Sequence, residues 1–360
     1  MYIKSMHKIF VSAFKTRTHN KYICNRRSHT ITQDGPWKVL FFGTDNFAVE
    51  SLKALHKKCE TKVLQRLEVV TTTNVRQNAV LKYAKENELN LYKWPLEESI
   101  SDFHIGVVVS FGHLIPSNII NSFPLGMLNV HGSLLPKWRG AAPMTYALMN
   151  GELQTGVTLM KIMPKQFDIG PIVAQKQVEI GEYETLPELS AKLSKFGANL
   201  LAETFENLPE SLQSAKPQDD TNATYAPKIT SEMCIIKWDE MSAKRIYDLY
   251  RGLFGVYPLM TFLQDTKVKF LEIELIEPTS ISDLIARFEG EMPGTVLFDK
   301  KSNKLIVKCI NDSFIAVKKI SVENARCKNA YDFRNGFLAA KRKTKECFSS
   351  INAIKQSYNI

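Results

Sequence analysis

The sequence predicts an α/β protein: a Rossmann-like, mostly parallel sheet with helices on both faces, then a linker and a small C-terminal β-barrel of the OB type. Three observations predict this fold class. The 360 residues suit two domains, and 44% of them are apolar, enough for two cores. Short apolar strand candidates alternate with amphipathic helices in the first part of the chain. Toward the C-terminus, short β-like runs are separated by Gly and Asp or Asn turns instead.

The first domain, residues 37–211, opens with a buried strand, Val39–Phe42, a glycine turn and a helix over about Phe47–Leu55. Asp45 or Asn46 precedes this helix, and either side chain could cap its N-terminus. The turn reads G-T-D and lacks the G-x-G-x-x-G spacing, so we do not expect a dinucleotide site there.

Four further strands and two further helices are predicted in the same domain. In chain order they are the strand LEVVTTT, the helix NAVLKYAKENEL, the strands IGVVVSFG, LGMLNVHGS and GVTLMKI, and the long helix LPELSAKLSKFGANLLAETFENL. Such an alternation is typical of a parallel sheet, which binds its ligands at the carboxyl ends of the strands.

A polar stretch rich in turn residues, 212–231, predicts a linker to the second domain, 232–345, with a tail at 346–360. The second domain opens with a helix within IIKWDEMSAKRIYDLYRGL. Its strands are predicted at KVKFLEIELIE, GTVLFD, KLIVKCI and SFIAVKKI.

Residues 1–36 form a basic leader with seven Lys or Arg residues and one acid, Asp34. This composition is typical of a mitochondrial transit peptide, and the predicted location is the mitochondrial matrix. A disordered basic tail and a plastid signal are the alternatives. Removing the leader would lower the formal net charge from +10 to +4.

Charge and cysteine content constrain the partners of the chain. The stretch from Lys300 to Lys345 contains thirteen Lys or Arg residues and only three acids. This basic composition favours a nucleic-acid partner, or a solubilising surface. The six cysteines form neither a C-x-x-C pair nor a Cys/His cluster, so we expect no metal site and no disulfide framework. No apolar run approaches about 18 residues, so we expect no membrane association.

Asn129 and His131 lie two residues apart at the end of a predicted strand, which directs both side chains to one face. An amide donor beside a titratable ring suits a carbonyl oxygen that becomes an oxyanion during acyl transfer. Asp168, in a Gly/Pro-flanked loop after the fifth strand, is the candidate partner of the ring. A core histidine and a turn-forming Asp are the alternatives. Ser133 lacks the G-x-S-x-G context of a nucleophile.

The segments NVHGSLLPKWRGAAP and FDIGPI resemble the folate-dependent formyltransferases, whose signature is N-x-H-x-S-L-L-P-x-x-R-G with a downstream Asp. The resemblance spans about Lys38 to Asn335. It is greatest to the members that formylate methionyl-tRNA, because FFGTDNFAVESLKAL, VVVSFGHLIP, TYAPKI and the basic barrel also match. It implies 10-formyltetrahydrofolate as donor, initiator methionyl-tRNA as acceptor, and no metal. Another formyl acceptor, or an RNA-binding protein with an inactive transferase fold, is the alternative.

The resemblance also implies roles for matched residues. Asn129, His131 and Asp168 align with the catalytic residues of the family. The folate-lining residues would be Ser133, Leu134, Leu135, Pro136, Phe111 and Gly112. Arg139, also in the signature, would either order the loop or contact substrate, or form a structural salt bridge.

One departure concerns tRNA binding. Bacterial members of the family carry a long basic insertion after the second strand, whereas this chain offers only Arg76 there. We therefore expect tRNA affinity to depend on the linker and the barrel, and we expect a monomer. The candidate tRNA contacts are Lys228, Arg76, Lys300, Lys301, Lys318, Lys319, Lys341, Arg342 and Lys343.

Overall fold

The computed structural model describes residues 35–73, 78–97, 100, 102–323, 326–338 and 346–350. The first domain contains β1 Trp37–Gly43, α1 Asn46–Glu60, β2 Leu64–Thr71, α2 Ala79–Glu86, β3 Leu91–Lys93, β4 Ile105–Val109, α3 Ser117–Ile120, β5 Met127–His131, α4 Pro143–Met149, β6 Gln154–Lys161, β7 Ile172–Glu179, α5 Leu186–Glu206 and α6 Leu208–Gln213. The second contains α7 Ala243–Leu253, β8 Leu259–Leu263, β9 Thr266–Ile276, α8 Ser282–Ile285, β10 Val296–Asp299, β11 Lys304–Lys308, β12 Phe314–Val322, β13 Lys328–Asn329, α9 Ala330–Phe337 and β14 Phe348–Ser349. The predicted leader lies outside the described residues except for Gly35 and Pro36.

The first sheet has the strand order β3-β2-β1-β4-β5-β6-β7, and its first five strands are parallel. Every residue of β4 is buried, which explains its uninterrupted apolar sequence. The predicted mostly parallel α/β fold is therefore confirmed. The orientation expected for the fifth strand is wrong: β6 runs antiparallel to β5, with His131 opposite Thr158, and β7 is antiparallel to β6.

Local capping explains where the main helices of this domain begin. The side chain of Asp45 accepts a hydrogen bond from the Ala48 N–H at 3.0 Å, as the sequence predicted, and α1 then continues five residues beyond Leu55. At α5, Thr185 and Glu188 form a capping box. The apolar face of α5 packs against α1 and the sheet.

The second sheet is antiparallel, with the order β10-β11-β12-β9-β8-β14, and it curls into a half-barrel around its own core. Strand β13 pairs with β12. Phe348 in β14 is buried and stacks on Trp238, with the ring centroids 6.1 Å apart. The prediction of a separate tail therefore does not hold for β14, which pairs with β8.

The polar stretch predicted as a linker packs against the first domain along part of its length. Lys216 exchanges two backbone hydrogen bonds with Ile172, at 2.8 and 2.7 Å, and Tyr225 forms a bridge with Arg139. Helix α7 packs on α4, and Arg251 on α7 donates to backbone carbonyls of the first domain. These contacts hold the linker and the barrel in a defined position. Across the described ranges, no helix has the length and apolar character of a membrane span.

Candidate active site

A cavity of about 600 Å³ opens beside the ends of β4 and β5. Its wall is mainly apolar and is completed by the loop between β6 and β7, residues 162–171. Among its lining residues are Phe47, Val108, Phe111, Gly112, His113, Leu114, Ile115, Asn129, His131, Gly140, Met144, Met160, Ile162, Phe167, Asp168 and Lys228. The structure thus brings Asn129, His131 and Asp168 to one cavity.

Asn129 and His131 line the cavity from the same face of β5, as their spacing predicts. Asn129 is partly exposed, and its side-chain amide forms no hydrogen bond with the other described residues. His131 is only 6% exposed. An amide donor without a protein partner is available to a ligand that enters the cavity.

The contacts of His131 determine which ring nitrogen is available for proton transfer or for a hydrogen bond to a substrate. Its Nε2 lies 3.0 Å from the carbonyl oxygen of Trp138. A carbonyl only accepts, so Nε2 carries a proton in both the neutral and the charged ring. The other nitrogen, Nδ1, lies 3.8 Å from Oδ1 of Asp168. Nδ1 is therefore the atom at which this ring gains or loses a proton.

Trp138 holds that carbonyl in place through an unusual backbone. Its φ of 60° lies in the left-handed region, which costs free energy in a residue with a side chain. The Trp138 N–H donates to the hydroxyl of Thr224 at 2.8 Å, and the indole packs on Tyr146. Burial raises the pKa of the Tyr146 phenol above its ordinary value.

Asp168 reaches His131 although its loop follows an antiparallel strand. Parallel strands would have returned its loop to the carboxyl edge of the sheet, but β6 is antiparallel, so residues 162–171 themselves fold back to the cavity. Asp168 adopts a φ of 54° and is 17% exposed. Its Oδ2 accepts from the Gly140 N–H at 2.9 Å, which leaves Oδ1 toward the ring.

Arg139 forms an ion pair with Asp220 in the linker, as the salt-bridge interpretation expects. The guanidinium is 4% exposed and lies 2.7 Å from Oδ1 of Asp220. It also donates twice to the side-chain oxygen of Gln218, at 3.0 and 2.7 Å. Gln218 in turn bonds to the loop that carries Asp168. Gln218 was not predictable from the sequence, because no motif around it distinguishes it from other polar linker residues.

The predicted folate-lining residues divide into two groups. Phe111 and Gly112 line the cavity, and Phe111 packs edge-on against Trp94 at 5.2 Å. The segment 133–136 is not among the residues that line it, so its contact with the folate stays a prediction. Ser133 and Leu135 are buried, and the Ser133 hydroxyl donates to the Lys137 carbonyl at 2.6 Å. Leu134 and Pro136 are partly exposed.

The predicted tRNA contacts also divide. Lys228 is exposed and lines the cavity. Lys318 and Lys319 are paired with Glu274 and Glu272, so their charge is partly neutralised on the barrel. Lys300 and Lys301 are exposed in the turn between β10 and β11. The remaining candidates, Arg76, Lys341, Arg342 and Lys343, lie outside the described residues.

Among the described residues, no three His, Cys, Asp or Glu side chains cluster as ligands of a metal ion. The described cysteines are free thiols at positions 59, 234, 309, 327 and 347. Burial raises the pKa of the Cys309 thiol to about 12.

Sequence comparison relates both domains to proteins that transfer formyl groups. Residues 37–205 match the family described as formyl transferase, and residues 228–338 match the formyl transferase C-terminal domain. The chain is 39% identical over 321 residues to the mitochondrial methionyl-tRNA formyltransferase of Rattus norvegicus, covering 88% of this chain and 82% of that protein. It is 39% identical over 317 residues to the corresponding protein of Homo sapiens, covering 87% and 80%.

A solved structure shares the fold at lower identity. A sugar 3-N-formyltransferase, crystallised with dTDP and 5-N-formyl-THF, superposes with a TM-score of 0.58 at 21% identity, covering 81% of this chain and 100% of that one. This similarity supports the architecture alone. The two domain matches and the 39% identity over most of each relative carry the assignment: the chain belongs to the formyl transferase family.

Proposed function

We propose that this protein transfers the formyl group of 10-formyltetrahydrofolate to the α-amine of initiator methionyl-tRNA. The observation that carries the proposal is the convergence of Asn129, His131 and Asp168 on one cavity. The acceptor is inferred from the relatives named methionyl-tRNA formyltransferase. Several of them are named as mitochondrial proteins, and with the basic leader this supports a role in translation initiation in the mitochondrial matrix.

The cavity suits the folate donor in size and chemistry. Small-molecule sites commonly measure about 300–1,000 Å³ and combine an apolar wall with a few polar groups. Here the wall includes Phe111, Ile115 and Met160, and Asn129, His131 and Asp168 are among its polar groups. A flat fused ring would pack on the apolar wall, and the formyl group would meet these three polar side chains. Phe111 and Gly112 are the proposed folate contacts that the geometry supports.

In the proposed reaction, the methionyl amine attacks the formyl carbon and a C–N bond forms while the oxygen becomes negatively charged. The amide of Asn129, which has no hydrogen-bond partner among the described residues, would donate one hydrogen bond to this oxygen. Protonated His131 would donate a second one from Nδ1, since its Nε2 is bonded to Trp138. Donors directed at a developing oxyanion are among the largest contributions to catalysis of acyl transfer.

Asp168 would take part in the proton transfers of the same step. Its carboxylate lies 3.8 Å from Nδ1 of His131 and stabilises the charged ring. The attacking amine must lose one proton, which Oδ1 of Asp168 accepts directly or through water. When the bond from the formyl carbon to N10 of the folate breaks, the proton held by Asp168 passes to N10, directly or through water, and the carboxylate is restored. The products are formylmethionyl-tRNA and tetrahydrofolate, and the catalyst is regenerated.

We propose that the acceptor end of the tRNA is held by Lys228 at the cavity and by exposed cations of the barrel such as Lys300 and Lys301. The pairing of Lys318 and Lys319 with acids reduces the expected contribution of those two residues. Phosphate contacts release counterions, so affinity should fall steeply as the salt concentration rises. Lys228→Ala should weaken binding and lower this salt dependence, whereas a change at Lys318 should alter both less.

The experiment that tests the function gives the purified protein 10-formyltetrahydrofolate and either methionyl-tRNA or a nucleotide-linked amino sugar. We expect formylmethionine on the tRNA and no formylated sugar. Formyl transfer to the sugar alone would contradict the proposed acceptor. Binding of tRNA without any formyl transfer would identify an RNA-binding protein with an inactive transferase fold.

A further inference from the structure

We propose that Gln218 is a positioning residue that holds the catalytic carboxylate of Asp168 in place, and that Arg139 orients the amide of Gln218 for this task. The inference rests on the proposed function, because it assigns a role to a residue that acts through Asp168. Gln218 lies in the linker between the domains and does not line the cavity.

The amide of Gln218 uses its full hydrogen-bonding capacity. Its oxygen accepts from Nε and Nη2 of Arg139, at 3.0 and 2.7 Å. Its nitrogen donates to the backbone carbonyls of Asp168 and Gly170, at 2.8 and 2.9 Å. A guanidinium only donates and a carbonyl only accepts, so the amide can satisfy all four bonds in one orientation only. Arg139 thereby directs the two donors of Gln218 at the loop.

The loop around Asp168 requires such a support. Asp168 has a φ of 54°, a left-handed conformation that persists only where the surroundings impose it. Its neighbours Phe167 and Ile169 are 68% and 36% exposed and contribute little packing. Gly170 approaches the Lys161 carbonyl so closely that a Cβ would lie 1.7 Å from that oxygen. The two bonds from Gln218 fix the backbone on both sides of Ile169.

Gly140, which follows Arg139 directly in the chain, also holds the side chain of Asp168. The Gly140 N–H donates to Oδ2, while the neighbouring Arg139 acts on the backbone through Gln218. The linker fixes Arg139 in turn, since its N–H donates to Thr224 O at 2.8 Å and its carbonyl accepts from Ala226 N at 2.7 Å. The backbone and the carboxylate of Asp168 are therefore both held by Arg139 and Gly140, and this support sets the distance from Asp168 to His131.

Gln218→Glu tests the proposal with little change in shape. A glutamate keeps an acceptor for Arg139 but removes both donors and sets a carboxylate oxygen against the carbonyls of the loop. A misplacement of about 1 Å can cost about 10²-fold in rate, so we expect kcat to fall about 10- to 100-fold. The KM for the folate and the melting temperature should change little. Gln177→Glu is the matched control, because the Gln177 amide is exposed and, among the described residues, bonds only to Gln154.

A double-mutant cycle separates positioning from a general structural role. If Gln218 acts through Asp168, Gln218→Glu should lower kcat by less than about threefold in a chain that already carries Asp168→Asn. Gln218→Ala should repeat this pattern without the added charge. Equal fold losses in both backgrounds would overturn the proposal, and so would a wild-type rate in the folded single variant. Absence of formyl transfer by the wild-type protein would instead refute the proposed function.

Discussion

The substitution Asp168→Asn should remove most of the catalytic rate while leaving the fold intact. Asn keeps the shape of the side chain and an oxygen for the Gly140 N–H, but it removes the negative charge that lies 3.8 Å from Nδ1 of His131. At that distance, with an effective dielectric constant of about 20, the lost interaction with a protonated ring is about 4 kcal/mol. Because both side chains are largely buried, solvent screens this interaction less than at the surface.

Converted to a rate, a loss of about 4 kcal/mol corresponds to a decrease in kcat of up to about three decades. The assay is single-turnover formylation of methionyl-tRNA with saturating 10-formyltetrahydrofolate, combined with a thermal melt of the variant. Asp312→Asn is the control, since Asp312 is an exposed carboxylate paired with Lys308. A folded Asp168→Asn protein within about threefold of the wild-type rate would refute the reasoning.

Three further predictions concern separate parts of the molecule. Asn129→Ala should lower kcat about 10²- to 10³-fold with little change in folate affinity, as steady-state kinetics would measure; unchanged kcat would contradict it. An alkylating reagent near pH 8 should modify exposed Cys327 much faster than Cys309, whose thiol burial keeps protonated, as peptide mass mapping would show. Burial alone would raise the pKa of Glu68, but hydrogen bonds from Arg66 and two neighbouring side chains outweigh it and hold the pKa below its ordinary value. Its stabilisation is therefore present above pH of about 4.3 and lost below it, so Glu68→Gln should lower the melting temperature near neutral pH and the difference should shrink toward about pH 3.

The apolar strands and the signature residues were predictable because their patterns are local. Burial on both faces dictates the uninterrupted apolar sequence of β4, and the spacing of Asn129 and His131 dictates a shared face on β5. Asp45 was predictable as a cap because a short acceptor beside the first turn satisfies a free N–H.

The strands whose presence or orientation could not be predicted from the sequence depend on long-range pairing. Nothing in the sequence of β6 distinguishes parallel from antiparallel pairing, because a buried strand is apolar in either direction. Strand β7 carries polar residues at the edge of the sheet, and β14 has only two paired residues, so neither gives a strong pattern. The course of residues 162–171 follows from contacts with the linker, which lies about 50 residues away along the chain.

The same limit applies to individual residues of the site. Segment 133–136 belongs to the signature, but membership of a motif does not separate residues that contact a ligand from residues that shape the loop. The role of Arg139 became clear only through Gln218 and Asp220, both of which are distant in sequence. The pairing of Lys318 with Glu274 likewise joins two strands of the barrel, β12 and β9, that are distant in sequence. A count of charges along the chain does not reveal such a pairing.

A crystal structure of the protein with a stable formyl-folate analogue would test the account most directly. We expect the formyl oxygen within hydrogen-bond reach of the Asn129 amide and of Nδ1 of His131, with the fused ring against Phe111. An analogue bound with its formyl group outside this cavity, or with His131 turned so that Nε2 rather than Nδ1 faces the formyl group, would contradict the proposed site.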